Sequence, residues 1–110
     1  MEDSRPYYNP SATNTLVRAQ AGYTRLCGVQ LLNGNAAIVY LQLFDAAATT
    51  DVTLGTTVPD KVIKCEASVE KDVAFEHRPR FKNGLVYAVT TGAGNSSAPG
   101  AVSPLSLDLA

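Results

Sequence analysis

The sequence predicts an all-β fold: a small antiparallel β-sandwich, jelly-roll or immunoglobulin-like, with about seven strands behind an extended N-terminal arm. Three observations point there. From Thr15 onward, short runs alternate apolar with polar residues. No stretch holds apolar residues at three-and-four spacing through three helical turns. Gly, Pro, Asn and Ser gather between the runs, where turns need them. A chain of 110 residues carries one core, so residues 1–14 read as the arm and 15–110 as a single domain.

The arm has Pro6, Pro10 and a Tyr7-Tyr8 pair and shows neither helical nor strand periodicity. It reads either as a frayed terminus or as a segment that lays Tyr7 and Tyr8 on a neighbouring subunit, tyrosine giving contact area at low entropic cost. Thr15 to Gln20 makes a short strand, broken at Ala21-Gly22. In Thr24 to Leu32, the residues Cys27, Val29 and Leu31 share the apolar face. Asn33-Gly34 is the dipeptide that most easily turns a tight hairpin, which predicts pairing of Val29–Leu32 with Ala37–Phe44. In the second arm of that hairpin Val39, Leu41 and Leu43 face inward, while Tyr40, Gln42 and Phe44 face outward. The outward rings either pack across strands or form a partner surface.

Residues 45–60, rich in Ala, Thr and Gly, read as a long crossing between sheets with a short strand at Val52 to Leu54. Lys61 to Val69 alternates with Ile63, Cys65, Ala67 and Val69 inward. Glu70-Lys71-Asp72 is expected to turn into a strand bearing Val73 and Phe75, interrupted at Arg78-Pro79-Arg80 because proline donates no ladder bond. Asn83-Gly84 marks another turn before Leu85 to Thr91, whose apolar residues on both faces predict a central strand. Residues 92–104 form a loop of the kind where contacts lie, so Asn95 joins the candidate contact residues. Leu105, Leu107 and Leu109 close the chain as a strand.

Composition narrows the function. With 45% hydrophobic and 17% charged residues the chain has apolar surface enough to fold. A formal charge of −1 argues against bulk attraction to nucleic acid or anionic lipid. No apolar run approaches the roughly 20 residues of a membrane helix, and Met1-Glu2-Asp3-Ser4 lacks a signal peptide's basic start, so a reducing cytoplasm is expected as the place of synthesis. Cys27 and Cys65, 38 positions apart, read as buried free thiols, as a disulfide between neighbouring strands, or as reactive or metal-bound thiols.

His77 is the only imidazole, and it stands among arginines at a strand end, which suits a loop histidine better than a hydrolytic triad. The carboxylates show no calcium-loop spacing, and Gly92-Ala93-Gly94-Asn95 lacks the lysine and helix of a phosphate loop. No catalytic, metal or cofactor residues are assigned, and the chain is not expected to be an enzyme. Between residues 61 and 82 six cations face four acids, a local +2. Arg78 and Arg80 in that segment are candidates for docking an acidic protein surface, the alternative being solvated strand faces that protect an edge.

Asn14-Thr15-Leu16-Val17, Leu26-Cys27-Gly28-Val29, the run from Tyr40 to Asp45 and the run from Gly84 to Ala93 together resemble a family of small tailed-phage virion structural proteins. Tyr-Leu-x-Leu-(Phe/Tyr)-Asp and Ala-Val-Thr-Thr-Gly-Ala are its strongest signatures, over residues 14 to 95. The charged Glu70-Lys71-Asp72 and the cysteines depart from that family. The resemblance implies a capsid decoration or cement protein, assembled in the host cytoplasm and resident in the virion. It would contact the major capsid protein or other virion proteins as a dimer or trimer, without nucleic acid or membrane. The alternative is a tail, baseplate or fibre module that binds a receptor or carbohydrate, with Tyr40 and Phe44 as a stacking platform. Contacts would involve Tyr7, Tyr8, Tyr40, Phe44, Arg78, Arg80 and Asn95.

Overall fold

A computed structural model describes residues 5–110, with Arg5 placed by its backbone alone. Among the described residues nine strands form two antiparallel sheets: β1 (Arg5–Ala12), β2 (Val17–Ala21), β3 (Thr24–Leu32), β4 (Val39–Asp45), β5 (Lys61–Cys65), β6 (Glu70–Ala74), β7 (Arg80–Phe81), β8 (Gly84–Thr90) and β9 (Ser103–Leu109). One sheet runs β1-β9-β3-β6, with β7 also on β3, and the other runs β2-β8-β4-β5. Apart from the β4–β5 hairpin and the β6–β7 link along β3, every connection crosses from one sheet to the other. That is the order of a jelly roll, two interlocked Greek keys. All-β and antiparallel sandwich hold. The strand number is nine instead of about seven, because the arm contributes β1 and the strand after residue 70 is split in two.

The alternation read in the sequence fills the space between the sheets. Leu105, Leu107 and Leu109 of β9 and Val29 and Leu31 of β3 face Val39, Leu41 and Leu43 of β4, Ile63 and Cys65 of β5, and Leu85, Tyr87 and Val89 of β8. Each buried Leu or Ile contributes roughly 1.5–3 kcal/mol through removal from water. All seven residues of β8 are buried, as its two apolar faces predict, because it lies between β2 and β4 inside its sheet. Its outer face needs a roof, and the 45–60 connection supplies one: Phe44 and Val86 pack with Ala46, Val52, Leu16 and Leu54. Val52 is buried after a single 3-10 turn at Thr49–Asp51, where a short strand was expected.

The strand expected over Lys61–Val69 ends at Cys65, leaving Val69 45% exposed where an inward position was expected, and four further expectations are overturned. Residues 5–12 are no free arm, for β1 pairs with β9 from Arg5↔Leu109 to Ala12↔Ser103. Pro6 sits opposite Asp108 on this edge strand and Pro10 within the irregularity between Asn9 and Ala12, two places where a missing N–H breaks no ladder. Asn33-Gly34 does not turn a hairpin, since β3 and β4 belong to opposite sheets. Asn33 is instead a buried corner post: its Nδ2 donates to the carbonyls of Ala37 (2.9 Å), Glu66 (3.0 Å) and Cys65 (3.4 Å), and its Oδ1 accepts from Asn35 N (2.9 Å). Glu70-Lys71-Asp72 is strand, paired with Leu32, Leu31 and Gln30, and the turn falls before it at Ser68, with φ 58°. Finally, β3 carries an extra residue between Leu26↔Leu109 and Gly28↔Asp108. This bulge reverses the alternation, so Leu26 enters the core beside Val29 and Leu31 while Cys27 is left half-buried.

Candidate interaction surfaces

The most charged surface grows from the edge of the first sheet. β6 runs along β3 as far as Ala74↔Gly28, and Phe75 N still donates to Cys27 O at 2.9 Å. The ladder resumes when Leu26 N donates to Pro79 O at 2.9 Å, followed by Arg25↔Arg80 and Thr24↔Phe81. β6 and β7 are thus one edge strand from which Glu76, His77 and Arg78 loop out, all three exposed. Such excursions re-aim side chains and keep a bare edge from recruiting another strand. With Arg25 and Arg80 they line a polar cleft of about 440 Å³, and Arg25 Nε donates to the hydroxyl of the exposed Tyr23 at 3.1 Å. Arg78 and Arg80, two candidates from the sequence, are therefore brought together. Arg25 and Tyr23 join them from far back in the chain, a link no local motif announces.

A second cleft, of about 350 Å³, opens where the 45–60 connection leaves and rejoins the second sheet, and Asp45, Asp51, Asp60 and Asn83 line it over a floor that includes Phe44 and Val52. Two of these carboxylates have structural work: Asp45 Oδ1 accepts from Asn83 N at 2.8 Å, and Asp60 Oδ2 accepts from Asp45 N at 2.7 Å. Asp51 stays exposed. Among the described residues no three His, Cys, Asp or Glu side chains are grouped to hold a metal ion.

The remaining candidates separate. Tyr8 is 63% exposed on the outer face of β1. Tyr7 turns inward: its hydroxyl lies 2.6 Å from that of Tyr87, the rings meeting edge to face at 5.7 Å. Asn9 Nδ2 donates to the same Tyr87 oxygen at 2.7 Å, and burial, then the bond to Tyr7, push the Tyr87 phenol above its ordinary range. Phe44 is 1% exposed under the roof, so it forms no outward platform with the half-buried Tyr40. Between them on that face, Gln42 is buried too, donating to Thr90 Oγ1 (2.6 Å) and the carbonyls of Asn95 (3.0 Å) and Gly92 (3.4 Å). Asn95 folds its own loop, its Oδ1 accepting from Gly92 N and Ser97 N, each at 3.2 Å. The 45–60 connection roofs the second sheet, and the second long loop adds the Gly92 and Asn95 carbonyls over Gln42 while residues 93–98 stay exposed. Cys27 and Cys65 are free thiols, and burial pushes the Cys65 thiol up.

No family model, curated protein or solved structure matches the chain.

Proposed function

We propose that the protein is a structural component of a tailed-phage virion, a capsid decoration or cement protein that bridges major capsid subunits and acts by contact, not by catalysis. Two lines support this reading. The strand order is a jelly roll, an architecture that recurs in viral capsid domains, although lectins and cupins share it and fold by itself assigns no role. The second line is the residue-level likeness described above, concentrated in β4 and β8.

The observation that carries the proposal is where the loops go. Residues 45–60 and 92–97 close over the second sheet, burying Phe44 and Gln42. Tyr8, Tyr23 and the arginine-lined edge are among the groups that stay exposed. Tyrosine and arginine are the residues from which protein contacts are preferentially built. The carbohydrate-binding alternative loses its stacking platform with the burial of Phe44. Contact through a folded-in β1 replaces the free arm: Tyr8 projects from the sheet while Tyr7 holds that strand to the core.

Electron microscopy of native particles tests the assignment. Symmetric head density the size of a 38 × 27 × 21 Å sandwich is the expected result. Density confined to the tail tip would move the protein to an adhesion role. Absence of the chain from purified particles by mass spectrometry would overturn the virion assignment altogether.

A further inference from the structure

The arginine cleft opens on the outer face of the first sheet. On β7 the side chain of Phe81 is buried in the core, so its neighbour Arg80 points away from the core, opposite Arg25 in the ladder. Arg78 is exposed on the excursion that also carries Glu76 and His77. Neither Arg78 nor Arg80 is ion-paired with a carboxylate among the described residues. Both line the polar cleft of about 440 Å³, where Glu76 is the one carboxylate among the described residues of the lining.

A guanidinium group is a planar fork of N–H donors that matches a carboxylate or a phosphate, and the rest of the face decides between the two. Along the same outer face the register sets Asp108 opposite Gly28, Asp72 opposite Gln30 and Glu70 opposite Leu32. Their chain neighbours Leu107, Leu109 and Val73 pack on the core, and the three acids are exposed. The basic field is therefore short, and along β3 it gives way to acid. A nucleic acid or an anionic lipid surface spread over this face would set further phosphates against those carboxylates. A short run of acidic side chains reaches the arginines without crossing them.

We propose that this cleft docks a short acidic segment of a partner protein, with Arg78 and Arg80 receiving its carboxylates. The inference rests on the contact role proposed above and names the chemistry of the partner. It is tested on the isolated chain, so binding can fail while the electron-microscopy result stands, and the reverse.

Fluorescence anisotropy of a labelled peptide of consecutive glutamates should show saturable binding, and the matching glutamine peptide should not bind. R78Q/R80Q should weaken the glutamate peptide by about tenfold, and raising salt from roughly 50 to 500 mM should weaken it comparably. E76Q removes the carboxylate from the lining and should tighten binding by about twofold, a gain that misfolding cannot produce. Inorganic phosphate and a single-stranded oligonucleotide should compete only weakly for the site. No binding of the glutamate peptide, binding indifferent to R78Q/R80Q, weaker binding by E76Q, or an oligonucleotide or phosphate that binds more tightly than the peptide would each overturn the proposal.

Discussion

At the scale of the residue, a few polar side chains hold what the apolar core cannot. Asn33 bonds three carbonyls at the corner where β3 leaves one sheet for the other, so Asn33→Ala strands buried acceptors. Chemical denaturation should show a loss of about 2–4 kcal/mol. Gly84 has φ 144°, and a Cβ there would lie 2.6 Å from the carbonyl oxygens of both Ala46 and Gln20, so Gly84→Ala should fail to give a stable fold. Tyr87 makes stability depend on alkaline pH. Its folded pKa lies above the ordinary 10.0, so above pH 10 the unfolded chain loses this proton while the folded chain keeps it. The native state then binds more protons, and stability falls as pH rises from 10. Tyr87→Phe should cost about 1–2 kcal/mol at neutral pH through the lost bonds to Tyr7 and Asn9, and its stability should fall less steeply above pH 10 than that of the parent. Titrated denaturation of both proteins measures the slopes.

At the scale of the element, β1 carries the clearest consequence. It puts Ala12 and Tyr7 against the core and makes five consecutive pairings with β9, so its removal uncovers Leu105 and Leu107. A chain lacking residues 1–12 should melt well below the intact protein or fail to fold, whereas a dispensable arm would leave the melting temperature unchanged; a thermal scan decides. This strand was hidden because Pro6, Pro10 and the irregularity after Asn9 break its alternation, although the inward positions Tyr7 and Asn9 do keep a period of two. The strands that were legible, such as β4, β5, β8 and β9, are those where apolar residues recur at every second position without a bulge. Cys27 shows the opposite case. One inserted residue moved it off the core face, and alternation cannot register an insertion that depends on the partner strand.

At the scale of the whole molecule, the first and last strands are neighbours and nearly every link between strands changes sheet. The chain must therefore close long loops before it gains the contacts that reward them. Refolding followed by stopped-flow fluorescence of the tyrosines should take milliseconds to seconds, as for other sandwiches of non-local pairing, and a microsecond phase carrying the full amplitude would contradict it. Of the candidate contact residues, Tyr8, Arg78, Arg80 and Asn95 remain on the surface, Asn95 also bracing its own loop, Tyr40 is half-buried, and Tyr7 and Phe44 turn to internal work. By itself the sequence determined the fold class, most strand positions and the burial of both faces of β8, because side-chain periodicity and turn chemistry are local properties. Tertiary structure alone decided which strands share a sheet, that Asn33-Gly34 is a corner, that the 45–60 connection forms a roof, and that Arg25 meets Arg78 and Arg80 in one cleft. These depend on pairing between residues far apart in the chain, where burial of the whole core selects one arrangement from several that the local pattern permits equally.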